Sequence, residues 1–186
     1  MPKVGIVYFT HTDITGELVN AAASEIEEAG LDIFLHRIKA TEIVGGRFVN
    51  LDVFKNLNSC NAIIFASPTY MGGASAQFKA FADATSDFWE SQEWSGKIAA
   101  GITSGAGLNG DQTSTLQYFS TLASQHGMLW IGIDSAYGNS EAALNRLGCQ
   151  LGVVSQNEDG TAHLVDLATV KYLSRRVAKL AKQLLK

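Results

Sequence analysis

The sequence predicts an α/β protein: a doubly wound parallel sheet of five strands with helices on both faces. Two observations lead to this fold class. The run from Val4 to Phe9 lacks the polar alternation of a half-exposed strand, which indicates a strand buried on both faces, and four further strand patterns follow it. Runs with the spacing of an amphipathic helix alternate with them from one end of the chain to the other. At 186 residues the chain is long enough for one domain, and we expect a single domain over residues 1–186.

The predicted elements follow these runs in order. The strands are expected at Val4–Phe9, Leu31–Ile38, Ala62–Ala66, Lys97–Thr103 and Met128–Ile133. The helices are expected on apolar stripes that begin at Ile14, Leu51, Phe78, Leu116 and Val170. The stretch from Asp134 to Val165 breaks the rhythm, because it is rich in Gly, Ser and Asn and too long for an ordinary connection. We expect this extended segment to split or extend the fifth strand.

The composition argues against several classes of function. The 14 basic and 18 acidic side chains give a net charge of −4, whereas nucleic-acid-binding proteins usually carry a basic face. No apolar run approaches the roughly 20 residues of a membrane span, so we expect no membrane insertion. The four histidines lack metal-ligand spacing, and we expect no metal. Cys60 and Cys149 form no metal or redox motif, which is typical of reduced thiols in a cytoplasmic protein.

The turn after the first strand is the first candidate for a binding site. In an open parallel sheet, ligands bind beyond the carboxyl ends of the strands. Residues Thr10–Thr15 lead into a helix N-terminus, where free backbone N–H groups and the helix dipole favour an anion. Since no Lys or Arg lies between Lys3 and Arg37, we expect a phosphate held by neutral donors. The same residues also suit ordinary helix capping, so this turn alone leaves both interpretations open.

Two further turns are expected at the same edge of the sheet. Ser67–Gly73 offers hydroxyls, a flat aromatic ring, a methionine and two glycines that let the backbone approach a ligand. Thr103–Gly110 offers many backbone N–H groups and little side-chain bulk, although by itself it also fits a flexible surface loop. A phosphate site, a flat surface and a polar edge together form the layout that flavin mononucleotide (FMN) would need.

Several motifs carry a resemblance to known families. The first turn resembles the flavodoxin phosphate loop, a hydroxyl-x-Thr-Gly-x-Thr pattern matched by Thr10, Thr12 and Thr15. Asp13 stands where that pattern has Gly and brings a negative charge near the phosphate. Nearly the whole chain resembles a narrower family, the flavodoxin-like NAD(P)H:quinone oxidoreductases of the tryptophan-repressor-binding-protein type. The matching stretches are Ser67–Gly73, Phe88–Trp89, Thr103–Gly107, Leu122–Met128 and the extended segment after strand five.

This resemblance implies a flavodoxin-like strand order of 2-1-3-4-5, with FMN bound by the three turns. The residues implied in cofactor binding are Thr10, His11, Thr12, Asp13, Ile14, Thr15, Pro68, Thr69, Tyr70, Met71, Gly72, Thr103, Ser104, Gly105, Ala106, Gly107, Leu108 and His126. The resemblance also places His126 at the flavin edge as a catalytic residue and Trp89 in the substrate pocket. By position alone, His126 would complement a helix C-terminus and Trp89 would be a core anchor.

The implied activity is a two-electron transfer from NAD(P)H to a quinone or similar small molecule. With one flavin site and no separate dinucleotide site expected, we predict a ping-pong mechanism. The cofactor carries the redox chemistry, so neither a side-chain nucleophile nor a metal is required. From the family we also expect a homo-oligomer, a dimer or a tetramer.

The sequence bears on three alternatives. A flavodoxin that only carries electrons would be strongly acidic where it meets its partners, and a charge of −4 is modest. A signalling receiver on the same fold would need an acidic pair after strand one and a lysine after strand five, where the chain has Asp13 alone and Asp134. The Gly105-x-Gly107-x-x-Gly110 spacing fits a dinucleotide fingerprint but follows the fourth strand, whereas that fingerprint belongs after the first.

Overall fold

The structure is a computed structural model that describes residues 1–135, 144–156 and 160–184. The described residues form the strands β1 (Lys3–Tyr8), β2 (Asp32–Arg37), β3 (Ile43–Val44), β4 (Arg47–Phe48), β5 (Ala62–Tyr70), β6 (Gly73–Ala74), β7 (Ile98–Gly105), β8 (Leu129–Trp130) and β9 (Val153–Gln156). They also form the helices α1 (Ile14–Glu28), α2 (Leu51–Asn58), α3 (Ala76–Ala84), α4 (Asp111–Gln125) and α5 (Leu164–Gln183). Short 3₁₀ helices cover Ala40–Glu42 and Thr85–Phe88.

The central sheet has the order β2-β1-β5-β7-β8, and these neighbours are parallel. This confirms the predicted fold class and the order 2-1-3-4-5. Two stretches share the fifth position: β8 pairs with the start of β7, Leu129 opposite Ile98, and β9 pairs with its end, from Val153 opposite Ile102. The expected splitting of the fifth strand is therefore observed. Residues 136–143 and 157–159 of the predicted segment 134–165 lie outside the described residues.

Helices cover both faces of the sheet. On one face, α1 and α5 pack together over the apolar side chains of the central strands, with Leu18, Ile26, Leu173 and Val177 fully buried. On the other face, α2, α3 and α4 supply a core rich in aromatic rings. Burial of these side chains is the main favourable contribution to the fold, because each removes a large apolar surface from water.

The chain reaches β9 by a close backbone approach. A Cβ atom at Gly152 would lie 2.6 Å from the carbonyl oxygen of Gly101, closer than real Cβ contacts allow, so glycine is required there. The same region is anchored by a buried ion pair. Asp166, near the start of α5, accepts two hydrogen bonds of 2.9 Å from the guanidinium of Arg146 and one of 2.9 Å from the Ser155 hydroxyl. Arg146 thereby fixes the chain that precedes β9 to α5.

One predicted turn is itself part of a strand pair. The second predicted turn, Ser67–Gly73, is mostly a continuation of β5 that then forms a hairpin with β6, Thr69 opposite Ala74. Between β2 and α2, Gly45 and Gly46 form the turn of a further hairpin, β3–β4. Among the helices of the described ranges, none is long and apolar enough to cross a membrane. Cys60 and Cys149 are free and buried.

Candidate functional site

The turn after β1 presents an uncapped helix N-terminus. Asp13 has a φ of 64° and precedes α1, and no side chain within the described residues caps this helix. The first backbone bond of the helix runs from Glu17 N–H to the Asp13 carbonyl, so the preceding N–H groups lack helical partners. Asn50, Ser75 and His163, in contrast, cap α2, α3 and α5. Ordinary capping therefore does not account for the hydroxyl-rich turn before α1.

Threonine hydroxyls line this turn. Thr10 is buried, and its hydroxyl oxygen has no hydrogen-bond partner in the part of the chain that the structure describes. Thr15 is also buried, and its Oγ1 lies 2.8 Å from the Ser104 Oγ at the end of β7. His11 and Thr12 are exposed, whereas the Ile14 side chain packs in the core. A hydroxyl that is buried without a partner is costly, and an anion bound at this turn would supply one.

Arg37 also lies at this turn, although the sequence predicted neutral donors alone. It is the last residue of β2 and pairs with Tyr8 at the end of β1. Its Nη2 donates to the Thr10 carbonyl over 3.3 Å and lies 3.5 Å from Asp13 Oδ1. The expectation of a phosphate held by neutral donors stays a prediction, but the sequence did not indicate that a guanidinium lies beside the turn. The signal that could have found Arg37 is the parallel pairing of the first two strands, which brings their carboxyl ends together.

A chain of hydroxyls joins the second and third turns. The Thr103 hydroxyl donates to the Ser67 carbonyl over 2.8 Å, so its oxygen is left to accept from the Thr69 hydroxyl at 2.8 Å. Thr69 in turn accepts from Thr115 of α4 at 2.7 Å, since each hydroxyl has one hydrogen. The chain fixes the directions of all three threonine hydroxyls. It also holds the end of β5 firmly against β7 and α4.

The β5–β6 hairpin forms one wall of the carboxyl edge. Met71 and Gly72 occupy its two-residue turn with φ of 50° and 79°, and positive φ at both positions is typical of a type I′ turn. Methionine is an unusual residue there, because an L side chain is strained at positive φ. Met71 is also fully exposed, and Tyr70 beside it is 45% exposed. Two large side chains therefore stand in water at the mouth of the site.

A cavity of 480 Å³ lies between this hairpin and the turn after β7. It is lined by Thr69, Met71, Gly72 and the segment from Gly105 to Gln112. Gln112 is buried, and its amide nitrogen donates to the Gly107 carbonyl over 2.6 Å, which holds the turn closed on the helix. Glycine at 105 leaves room for this close packing, since a Cβ would lie 3.2 Å from the Gln112 amide carbon.

The three predicted turns thus meet at one edge of the sheet. The structure brings together the residues predicted to bind the cofactor from Thr10 to Thr15, Pro68 to Gly72 and Thr103 to Leu108. Pro68 is buried within β5, where its lack of an N–H is harmless because β1 already ends at Tyr8, opposite Ala66. Ser104 turns towards α1, and Thr103 turns towards α4.

His126 and Trp89 do not lie at this edge. His126 follows the last residue of α4 and stands just before β8, which pairs with the first residues of β7. The three turns predicted to bind the cofactor lie at the opposite, carboxyl edge, beyond the last residues of β7. Strand β7 has 8 residues, so at about 3.3 Å per residue the two edges are roughly 25 Å apart. The resemblance placed both residues beside the flavin, and within one chain the structure does not bring them there.

The surroundings of His126 determine its tautomer. Its Nε2 lies 2.8 Å from the Thr85 hydroxyl, which already donates its hydrogen to the Ala82 carbonyl. Nε2 must therefore carry the proton, and Nδ1 is a buried acceptor without a hydrogen-bond partner among the described residues. The Trp94 ring packs against the imidazole at 4.8 Å. Burial lowers the pKa of His126 and favours the neutral ring.

A second cavity of 640 Å³ lies beside His126, between the C-terminal halves of α3 and α4. Trp89, which is 51% exposed, lines it together with Arg47 and Tyr118. By position alone, Trp89 was expected to be a core anchor. In the structure the buried tryptophan of this region is Trp94. Nothing in the sequence pattern distinguished the two.

The residues at the carboxyl edge fit a flavin nucleotide. The uncapped helix, the Thr10 hydroxyl without a partner among the described residues and the Arg37 guanidinium suit a phosphate. The adjacent cavity combines glycine backbone and the apolar side chains of Met71 and Leu108 with polar side chains such as Thr69 and Gln112. In the described ranges, no group of three or more His, Cys, Asp or Glu side chains could hold a metal ion. The fold and this edge define a flavodoxin-like protein, an α/β sheet with a phosphate turn after its first strand.

Comparison with known proteins supports and narrows this class. The sequence profile of the family described as NADPH-dependent FMN reductase matches residues 10–142. The chain belongs to this family and is an FMN-dependent oxidoreductase that uses NAD(P)H as its reductant.

Individual relatives cover nearly the whole chain. "Flavodoxin FldP" of Pseudomonas aeruginosa is 36% identical over 99% of both chains. An "NAD(P)H dehydrogenase (quinone)" of Archaeoglobus fulgidus is 29% identical over 99% of this chain and 100% of its own. A crystal structure described as a flavodoxin, WrbA-like protein from Agrobacterium tumefaciens is 36% identical, with a TM-score of 0.76 over 98% of this chain and 99% of that one.

Proposed function

We propose that this protein reduces a quinone-like small molecule with electrons from NAD(P)H, using FMN bound at the carboxyl edge of the sheet. The observation that carries the proposal is the cavity of 480 Å³ next to an anion-binding turn. The chemistry that FMN supplies is two-electron transfer between a nicotinamide donor and the acceptor. The relative named as a quinone dehydrogenase matches this chain over its full length, which supports the choice of acceptor.

The phosphate end of the cofactor is assigned to the turn before α1. The backbone N–H groups of this turn and the hydroxyls of Thr10, Thr12 and Thr15 are its proposed donors. Thr15 can serve an anion because Ser104 can supply the hydrogen of the bond between them. His11, Asp13 and Ile14 contribute through their backbone.

The ring is assigned to the cavity between the second and third turns. Thr69 to Gly72 would flank the ring and ribityl chain, with the exposed Met71 side chain folding over its face. The backbone from Gly105 to Leu108 would face the polar edge of the ring. The hydroxyl chain through Thr69 and Thr103 holds these two walls in place before the ligand arrives.

The cavity between the second and third turns, taken as a space that donor and acceptor share in turn, motivates a ping-pong mechanism. Stopped-flow measurement of the separate half-reactions tests this. We expect NAD(P)H to reduce the bound flavin in the absence of any acceptor, and excess quinone to compete with NAD(P)H. Intersecting double-reciprocal lines, or a flavin that stays oxidised until quinone is present, would exclude the scheme.

The proposed roles of His126 and Trp89 require a second copy of the chain. Both residues border the cavity at the amino edge, so they can reach a flavin only if that cavity faces the carboxyl edge of a neighbouring subunit. We therefore propose a dimer or tetramer in which His126 Nδ1, the acceptor left without a partner among the described residues, accepts a hydrogen bond from the edge of its neighbour's flavin or from the hydroquinone product. His126→Ala should slow the quinone half-reaction by at most about 10²–10⁴-fold.

Dilution separates this arrangement from a self-sufficient monomer. Turnover per subunit should fall together with the oligomer when the protein is diluted, and sedimentation measures the oligomer independently. Full activity from a monomer, with no effect of His126→Ala on either half-reaction, would remove both residues from the site.

A second candidate is an electron carrier without a small-molecule substrate. The relative named as a flavodoxin, 36% identical over the full length, favours it. In a carrier, a partner protein and not a quinone would take the electrons from the reduced flavin. Reoxidation of the NAD(P)H-reduced flavin on addition of a quinone, followed in the visible spectrum, therefore decides between the two candidates. For either function we propose a cytoplasmic location, because both buried cysteines are free thiols.

A further inference from the structure

Asp13 carries a negative charge in the turn assigned to the cofactor phosphate. Its φ of 64° is a conformation that Asp tolerates better than most residues, and it occupies the position of a glycine in the flavodoxin pattern. The carboxylate is not used to cap α1 and is mostly exposed. A carboxylate at a helix N-terminus competes with a phosphate for the same positive end of the dipole. Taken alone, Asp13 would weaken the binding of a phosphorylated ligand.

Arg37 is held against this carboxylate from the neighbouring strand. Its Nη2 donates to the Thr10 carbonyl over 3.3 Å and lies 3.5 Å from Asp13 Oδ1. One guanidinium thereby contacts two positions of the turn. Tyr8, directly beneath the turn, is under the influence of both charges: burial raises the pKa of its phenol, Arg37 lowers it and Asp13 raises it.

The other charged side chains near this turn form different contacts or lie farther away. The Glu17 carboxylate, in the first turn of α1, accepts from the Ala162 N–H over 2.8 Å. Between Lys3 and Arg37 the sequence contains no Lys or Arg, and of the two histidines in this stretch His11 is exposed and His36 contacts the Glu42 carboxylate at 3.1 Å. Arg37 is thus the cation that the fold brings to the turn, and Asp13 is the anion that it meets.

We propose that Arg37 offsets the charge of Asp13 and makes this turn selective for a phosphorylated flavin over an unphosphorylated one. The inference rests on the proposed flavin site. Without the guanidinium, a dianionic phosphate would face an unbalanced carboxylate. With it, the turn is neutral, and the helix dipole and hydroxyl donors determine binding. Because both side chains are partly exposed, solvent screens them, and we expect an effect of about tenfold in affinity or less.

The test is the binding of FMN and riboflavin to the flavin-free protein, followed by quenching of flavin fluorescence. Four proteins are compared: the parent, Arg37→Gln, Asp13→Asn and the double variant. Asn keeps the side-chain shape and tolerates positive φ. Arg37→Gln should weaken FMN by roughly three- to tenfold and leave riboflavin unchanged, and adding Asp13→Asn should restore most of the loss.

Arg175→Gln is the matched control. The Arg175 guanidinium is similarly exposed and pairs with Glu25 of α1 over 2.9 Å, far from the turn along the helix. This variant loses the same charge and should bind both flavins as the parent does. A uniform effect of net charge would instead weaken FMN in both arginine variants.

Each other outcome overturns the inference in a recognisable way. Equal losses for FMN and riboflavin would make Arg37 a structural support of the turn. A loss for FMN that Asp13→Asn fails to restore would mean that Arg37 acts without reference to Asp13. Unchanged FMN affinity in Arg37→Gln would refute this inference alone, whereas a parent protein that binds neither flavin would refute the proposed function with it.

Discussion

The hydroxyl oxygens of Thr15 and Ser104 lie 2.8 Å apart, although 89 positions separate the two residues in the chain. Both residues are buried. Thr15 belongs to the first turn of α1 and Ser104 to the end of β7, so this one bond joins the proposed phosphate turn to the proposed ring turn. A change at either residue should therefore be felt in both ligand binding and stability.

Thr15→Val removes this hydroxyl while keeping the shape of the side chain. We expect the free energy of unfolding to fall by about 1–3 kcal/mol, because the Ser104 hydroxyl is left buried without its partner. FMN affinity should fall by at least roughly tenfold, because a hydrogen bond to a charged group contributes about 1.5–3 kcal/mol. Urea unfolding and flavin titration measure the two effects.

Thr15→Ser, which keeps the hydroxyl, should retain most of both properties. Riboflavin, which has no phosphate, should bind Thr15→Val and the parent alike. A parallel loss of both flavins would assign Thr15 to the structure of the turn and not to the phosphate.

Met71→Asn should stabilise the flavin-free protein by about 0.5–1 kcal/mol, because Asn tolerates the positive φ of a type I′ turn better than Met. The Met71 side chain is fully exposed, so the change removes little packing. If Met71 covers the ring, FMN and riboflavin should both weaken, by up to about tenfold. Urea unfolding without flavin and titration with both flavins provide the measurements.

Gln92→Asn is the control for this prediction, since Gln92 also has a positive φ, of 51°. Its side-chain amide donates to the carbonyls of Trp89 and Gln125, and the shorter Asn would lose those bonds. No gain in stability is expected there. A lower free energy of unfolding for Met71→Asn would contradict this prediction, because it would mean that the exposed Met71 side chain stabilises the fold.

The Arg146–Asp166 pair should respond unequally to the loss of its two members. Arg146→Met leaves the fully buried Asp166 carboxylate without its cation, which typically costs about 3–5 kcal/mol. Asp166→Asn leaves Arg146 with access to water, because that side chain is partly exposed, and should cost less. Chemical denaturation of the two variants gives the comparison, and a larger loss for Asp166→Asn would contradict it.

His126 should make stability depend on pH below neutrality. Burial lowers its pKa in the folded protein, so between the unfolded value of about 6.5 and the lower folded value the unfolded chain binds more protons. The contribution of His126 to the free energy of unfolding is therefore complete above about pH 7 and is lost as the pH falls. The unfolding free energy of the parent minus that of His126→Gln should therefore decrease from pH 7 to pH 5. A difference that grows on acidification would mean that the folded state favours the charged ring.

The sheet was predictable because its central strands β1, β5 and β7 are buried on both faces, whereas the helices are buried on one face. Strands β2 and β8 are partly exposed. The apolar run from Ala62 to Ala66 located β5, and the stripe that begins at Ile14 located α1. The end of β5 was not predictable, because a proline such as Pro68 usually terminates a strand. Strand β5 continues past Pro68 because β1 already ends opposite Ala66, so no neighbouring strand needs the N–H group that proline lacks.

The site was predictable as three turns but not as a set of contacts. Hydroxyls and glycines that follow apolar runs mark the carboxyl edge, whereas Arg37 reaches it through a strand pairing that no local pattern encodes. For His126 the resemblance implied a role at the flavin but gave no position in the fold. Its position follows from α4, which runs from the carboxyl edge of the sheet to the amino edge and ends just before His126.

Helix α5, which covers one face of the sheet together with α1, follows all of the described strands in chain order and is therefore synthesised after them. At about 5–20 residues per second, a ribosome needs roughly one to four seconds to make its 20 residues. During that interval α2, α3 and α4 can already cover the other face of the sheet. Apolar side chains on the face that α5 covers, such as Ile64 and Ala100, remain partly exposed to water. A nascent chain at this stage would present a sheet surface that molecular chaperones recognise.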